Sequence, residues 1–368
     1  MTEMKTQDTV EQTEVKKCTS CGGNTVFDPA SGALKCPFCG SEAEIEATRE
    51  NTAELDFQEA LEEEIHGWDD EKRVFRCENC GAETLLDKDQ VAAFCTFCGS
   101  SHIAVSEHQA GIKPALVVPF QIPKEEAIDK FKDWMKRRYF APSKLSQTYQ
   151  LNKMTGTYLP YWTFDSRTVS QYVVRIGTYY YVTETRTVIE DGKPKTVTEQ
   201  VRKTSWRTER GRYRHFFDDV LVKASRNSAT GLINKIEPFQ LSGLLDYKRE
   251  YVSGFLAERY SIPLKEGWQD ARRIIDRGIE NGIYGQVHGD EVQLVDVATD
   301  YRDITYKHIL LPIWISSFQF NQKVYQFLVN GQTGKVSGNS PISILKVSIA
   351  VLAFILVVGV LIFFFDLT

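Results

Sequence analysis

Lys17-Cys18-Thr19-Ser20-Cys21-Gly22-Gly23 and Lys35-Cys36-Pro37-Phe38-Cys39-Gly40-Ser41 are two copies of one short turn, and fourteen residues (22–35) separate Cys21 from Cys36. The pattern recurs as Cys77, Cys80, Cys95 and Cys98, again with fourteen residues (81–94) between the pairs. A Cys-x-x-Cys turn aims two thiolates at one point, and a hairpin brings the second turn opposite, closing a tetrahedron around zinc. Gly22, Gly40, Gly81 and Gly99 follow the second cysteine of each turn, where a positive φ suits the close backbone. The eight cysteines are thereby used up, and two structural zinc ions are expected. Competing readings are disulfides, a rubredoxin-like iron site or redox pairs. The absence of a secretory signal in Met1–Lys17 and of a βαβ context around these turns weighs against disulfide and redox chemistry. A closed four-thiolate site leaves no position for substrate, so the metals organise the fold, contributing on the order of 10–16 kcal/mol each.

Working outward, residues 1–16 read as disordered, 17–46 as the first zinc ribbon, 47–72 as an acidic helical linker and 73–108 as the second ribbon. Between the pairs of cysteine sets run Glu42, Glu44, Glu46, Glu50, Glu54, Asp56, Glu59, Glu62, Glu63, Glu64, Asp69, Asp70 and Glu71, opposed only by Arg49. Such a segment repels phosphates, and the formal net charge of −5 gives no overall cationic field, so nucleic acid is not the favoured partner.

Residues 113–340 read as a duplicated α+β domain, with halves at about 113–220 and 250–340. "VPFQIPKEEAIDKFKDWMKRRYF" reappears loosely as "AERYSIPLKEGWQDARRIIDRGI", and "GTYLPYWTFDS" as "HILLPIWISSF". Ala127, Ile128, Phe131, Trp134 and Met135 recur at helical spacing, as do Trp268, Ala271, Ile274, Ile275 and Ile279. Aromatic and β-branched runs at 169–182 and 311–329, with Asp191-Gly192 and Asn330-Gly331 as turn signals, predict antiparallel strands. On the first hairpin lie Lys193, Lys195, Arg202, Lys203, Arg207, Arg210, Arg212 and Arg214, against Glu199 and Glu209. This basic arm suits an anionic surface: headgroups, an acidic protein segment or, less favoured, nucleic acid.

The run Val347–Phe365 is nineteen residues without a charge, about 28 Å as a helix against a hydrocarbon core of about 30 Å. A single transmembrane helix over 346–366 is therefore expected, with the membrane as a partner. Lys335 and Lys346 precede it, which places the N-terminal bulk in the cytoplasm of a single-pass membrane protein. The expected fold class is multidomain: two small four-cysteine zinc ribbons (β), a duplicated α+β middle domain and one C-terminal transmembrane helix. His66, His102, His108, His215, His288 and His308 form no ligand pattern, and no phosphate loop or nucleophile elbow is present. Neither enzymatic activity nor a small-molecule substrate is expected.

The cysteine turns, "KCTSCGG…KCPFCGS" and "RCENCGA…FCTFCGS", resemble the transcription factor IIB-type zinc ribbon over about residues 16–108. With "LPYWTF", "LPIWISSFQF" and "VYQFLVNGQTGKV", the chain resembles the bacterial membrane-anchored zinc-ribbon proteins encoded beside phage-shock-A-like and flotillin (SPFH)-like proteins. That resemblance implies a scaffold recruiting such envelope-stress proteins to the membrane. The alternative is a membrane-tethered nucleic-acid binder or regulator using the ribbons and the basic hairpin.

Overall fold

Glycine-closed turns and short apolar triplets near the N terminus can form only a small sheet. In the computed structural model, which describes residues 16–49, 54–62, 72–77, 83–87, 95, 103–106, 112–142, 154–190, 193–226, 230–320 and 323–366, that sheet comprises β1 (Val26–Asp28), β2 (Ala33–Lys35) and β3 (Glu42–Ala43), all antiparallel. The chain then passes through β4 (Leu55–Asp56), α1 (Phe57–Glu62), β5 (Lys72–Cys77), β6 (Glu83–Asp87), β7 (Ile103–Ser106) and β8 (Leu116–Val117). α2 (Lys124–Lys136) starts after Pro123, carries Glu125 and Glu126 in its first turn, and buries Ala127, Phe131 and Met135 at four-residue spacing.

Two very long strands follow, β9 (Thr155–Glu190) and β10 (Lys193–Lys223), paired along their length as one hairpin. After α3 (Thr230–Ile236), β11 (Leu245–Asp246), α4 (Arg249–Val252) and β12 (Leu256–Glu258) comes α5 (Leu264–Gln286), which buries Leu264, Gly267, Ala271, Ile275, Ile279 and Ile283 as one stripe. β13 (Glu291–Phe320), β14 (Lys323–Asn330), β15 (Val336–Gly338) and α6 (Ile344–Asp366) complete the chain.

The two stretches read as a repeat meet in the main sheet. β9 and β13 run antiparallel at the centre, with Leu159 of one Leu-Pro-x-Trp stretch directly opposite Leu311 of the other. The short strand of each half crosses to the long strand of the other: β8 pairs parallel with β13, and β12 pairs parallel with β9. Each long strand is thus paired with a short strand of the other half. The main sheet also takes in β5, β6 and β7 through the β6–β12 pairing, and β4 through β13.

The expected fold class is corrected on two counts. Strands account for 46 % of the described residues, so sheet dominates where an α+β balance is expected. The reason lies in β9, β10 and β13, whose Thr, Tyr and Val content carries extended structure well past the apolar runs recognised in the sequence. The C-terminal run does form a helix, α6, with mostly exposed side chains. Among the described residues, however, no helix is long and apolar enough to cross a membrane. The expected transmembrane helix, the membrane as a partner, and the single-pass location with its bulk in the cytoplasm are withdrawn with it.

Candidate metal centre

The first cysteine set closes through its own main chain. In one turn the Gly22 amide donates to the Cys18 carbonyl at 2.8 Å; in the other the Gly40 amide donates to the Cys36 carbonyl at 2.9 Å. Gly22 (φ 73°) and Gly40 (φ 76°) take the left-handed conformation that a Cβ would oppose. The Cys18 amide reaches the Gly23 carbonyl at 2.7 Å and the Cys36 amide the Ser41 carbonyl at 2.9 Å, so both turns are built alike and face each other.

The four sulfurs of Cys18, Cys21, Cys36 and Cys39 lie within 4.8 Å of one another and could hold a metal ion. Cys18 and Cys39 approach to 3.5 Å, and Cys21 and Cys36 to 3.4 Å. These separations exclude disulfides, whose bond is about 2.05 Å. They approach the roughly 3.8 Å edge of a sulfur tetrahedron built with 2.3 Å metal–sulfur bonds. Cys18 and Cys36 are buried; Cys21 and Cys39 face outward.

The four thiols of the cluster do not ionise alike. Ser41, with its hydroxyl 3.2 Å from the Cys39 sulfur and its amide nearby, holds the Cys39 thiol down to about 6. The Ser20 and Cys21 amides lower Cys18 as well. Cys21 moves the other way: the Gly23 amide favours its thiolate, but the Cys36 and Cys39 thiols outweigh it and the group is pushed up to about 12. The first thiolates form readily and the last does not, so full ionisation of the set needs a positive charge at its centre.

This ribbon is seated on the rest of the molecule. The Phe27 amide donates to the Ser253 carbonyl at 3.0 Å, the Ser253 hydroxyl donates to the Thr25 carbonyl at 2.8 Å, and the Phe27 ring meets Tyr251 edge-on at 5.7 Å. Phe27 thereby belongs to a core that includes Phe120, Phe131, Tyr158 and Trp314. Of the second set, Cys77 and Cys95 are buried in the core around Leu159 and Ile309; Cys80, Cys98, Gly81 and Gly99 lie outside the described residues.

The basic residues all belong to β10, but they do not form one surface. The Lys203 ammonium pairs with Glu184 at 2.6 Å and Arg207 with Glu209 at 2.7 Å. Arg202 lies over the Tyr179 ring at 4.2 Å. Arg210, Arg212 and Arg214 are exposed and make no ion pair among the described residues, while the side chains of Lys193 and Lys195 lie outside those described.

One polar cluster escapes sequence reading altogether. Carboxylate oxygens of Glu54, Asp165 and Asp218 lie within 4.8 Å of one another, from the linker, β9 and β10. Thr305 donates to Glu54 at 2.7 Å, the Asp219 amide donates to Asp165 at 2.6 Å, and the Lys307 ammonium sits 3.4 Å from both Glu54 and Asp219. Burial, then Glu54, pushes the Asp165 carboxyl up to about 7. Bulges in β10 at Phe217/Val220 and in β13 at Arg302/Thr305 flank Asp165 on both sides and create this arrangement. Lys307 supplies the countercharge from within. The only sequence signal is the adjacent pair Asp218-Asp219 inside a strand of alternating character.

No family model matches the chain, and no solved structure matches it. It is similar to a Bacillus subtilis (strain 168) protein described as "Uncharacterized protein YdjG", at 29 % identity over 336 residues, covering 90 % of this chain and 91 % of that protein. The likeness therefore covers most of the chain.

Proposed function

We propose that the chain is a non-catalytic adaptor in which zinc organises the N-terminal ribbon as a rigid protein-docking module. Cys18, Cys21, Cys36 and Cys39 would hold one ion, and Cys77, Cys80, Cys95 and Cys98 a second. The observation that carries the reading is the four-sulfur cluster, held by two matched turns and closed by four protein ligands. Such a site has no open position for chemistry, so its metal works by holding a surface in shape. The seating of Phe27 between Tyr251 and Phe255 ties that surface to the sheet platform, as an adaptor joining partners requires. The resemblance of the cysteine turns and Leu-Pro-x-Trp stretches points to phage-shock-A-like or flotillin-like proteins as the partner class.

The test is crosslinked recovery of partners from cells carrying the native chain or Cys36→Ser/Cys39→Ser. Opening the site should unfold the ribbon and lower recovery, and two zinc ions per native chain should be found by elemental analysis. Unchanged recovery with the site opened would refute docking through this ribbon.

A further inference from the structure

The long hairpin has two different faces. On β9, Val174 and Ile176 are buried against α5 with Ala271, Ile275, Ile279 and Ile283; on β10, Tyr213 and Phe217 join the same core. Side chains alternate along a strand, so Arg175 on β9, and Arg202, Arg210, Arg212 and Arg214 on β10, all point to the other face. Each is exposed. Lys203 and Arg207 have the opposite parity and are already paired with glutamates. The acids near the arginines on this face sit on β13, where Glu291 accepts from the Tyr179 hydroxyl at 2.8 Å, Asp300 pairs with Arg302 at 2.6 Å and Asp296 lies two strands away from Arg210; Asp165 and Asp218 lie beyond them at the Phe217/Val220 bulge, in the cluster with Glu54. The β10 side of this face is left with uncompensated positive charge.

Two further features define what fits there. Among the described residues, no strand pairs with the outer edge of β10, which therefore offers main-chain donors and acceptors. Arg210, Arg212 and Arg214 stand at alternate positions, about 6.7 Å apart, the spacing of side chains on one face of an adjoining strand. Of the aromatic rings on this face, Trp206 is covered by Arg175 at 4.9 Å, Tyr179 by Arg202 at 4.2 Å and Phe216 by Arg167 at 5.8 Å, while Tyr181 stays exposed. Covered rings do not offer a stacking platform for nucleobases, whereas guanidinium edges remain open to carboxylates.

We propose that the outer edge of β10, with Arg210, Arg212 and Arg214, docks an extended acidic segment of a partner protein, with Asp or Glu at alternate positions, as an added strand. The same charges repel a second copy of this edge and leave it open to an acidic one. This deepens the adaptor reading and rests on it, but it does not involve the cysteine cluster. Its failure would leave metal-dependent recovery of partners untouched.

The experiment measures anisotropy of a fluorescein-labelled twelve-residue peptide of alternating Glu and Thr, titrated with the full-length chain at low salt. The peptide should bind; Arg210→Ala/Arg212→Ala/Arg214→Ala should weaken it about tenfold, and Lys203→Ala/Arg207→Ala, on the other face, should not. Replacing Thr by Pro in the peptide removes donors needed for strand pairing and should weaken binding as well. Absence of binding, indifference to the triple substitution, equal binding of the proline peptide, or tighter binding of an oligothymidylate of equal charge would each overturn the proposal.

Discussion

The indole of Trp162 donates to the main-chain carbonyl of Ile262 at 2.9 Å, one hundred residues away in sequence. Its counterpart, Trp314, donates to the carbonyl of Ile122 at 2.8 Å. Ile122 and Ile262 each precede the proline that begins a helix, Pro123 before α2 and Pro263 before α5. Each long strand therefore anchors the helix start of the opposite repeat.

Trp162→Phe and Trp314→Phe should each lower stability by about 2–4 kcal/mol, because a buried carbonyl loses its donor and a smaller ring leaves space. Urea unfolding monitored by far-UV circular dichroism measures both. A neutral result for one tryptophan and a large cost for the other would show that the two-fold relation is geometric without being energetic.

Gly254 joins the first ribbon to the platform. Its φ of 86° lies in the left-handed region, and a Cβ there would come within 2.9 Å of the Val26 Cβ. Gly254→Ala should cost about 1–3 kcal/mol from backbone strain and loosen the Phe27 seat. The cysteine cluster is built from its own turns, so the absorption of cobalt bound there should be unchanged. Loss of the cobalt spectrum would mean that the cluster depends on its docking.

Chelation should act in the reverse sense. Without the ion, thiols that resist ionisation together can no longer hold both turns, and amide protection should vanish from residues 17–43. Phe27 would leave its core, a loss of about 1.5–3 kcal/mol of apolar burial, while β9 and β13 stay protected. Hydrogen exchange before and after chelation reads this directly; retained protection at Gly22 and Gly40 would count against a metal-dependent fold.

Asp165 introduces a pH dependence whose sign is set by its raised pKa. Its carboxyl titrates at about 7 in the folded chain and near 3.9 when unfolded, so between those values the folded state binds more protons. Stability from this group is complete below pH 4 and is lost as pH rises through 7. Burial holds His308 at about 4, below its ordinary value of about 6.5, which acts oppositely: stability falls as pH drops from 6.5 towards 4. Glu54, Asp218, Asp219 and Lys307 surround Asp165, and His308, whose shift comes from its own burial, is kept in Asp165→Asn, so its effect cancels between the two proteins. Native-minus-variant stability should rise as pH falls from 8 to 4.5; a flat difference would refute the assignment.

Much of the metal centre was legible because its information is local. Two Cys-x-x-Cys turns fourteen residues apart contain the sulfurs, the amides that stabilise them and the glycines that let the chain turn, so spacing alone places Cys18, Cys21, Cys36 and Cys39 together. The helical stripes of α2 and α5 were legible for the same reason, although Ile274, read as core, lies 40 % exposed because the stripe of α5 follows Ala271, Ile275 and Ile279. What tertiary structure decided depends on distant partners. The crossing of β8 to β13 and β12 to β9, the opposed bulges that bury Asp165, and the sorting of β10 cations onto two faces arise only once three long strands fix their register. Hydrophobic period and charge count carry no information about register. The C-terminal run shows the same limit, since its apolar character was plain in the sequence and its expected role as a span did not survive the structure.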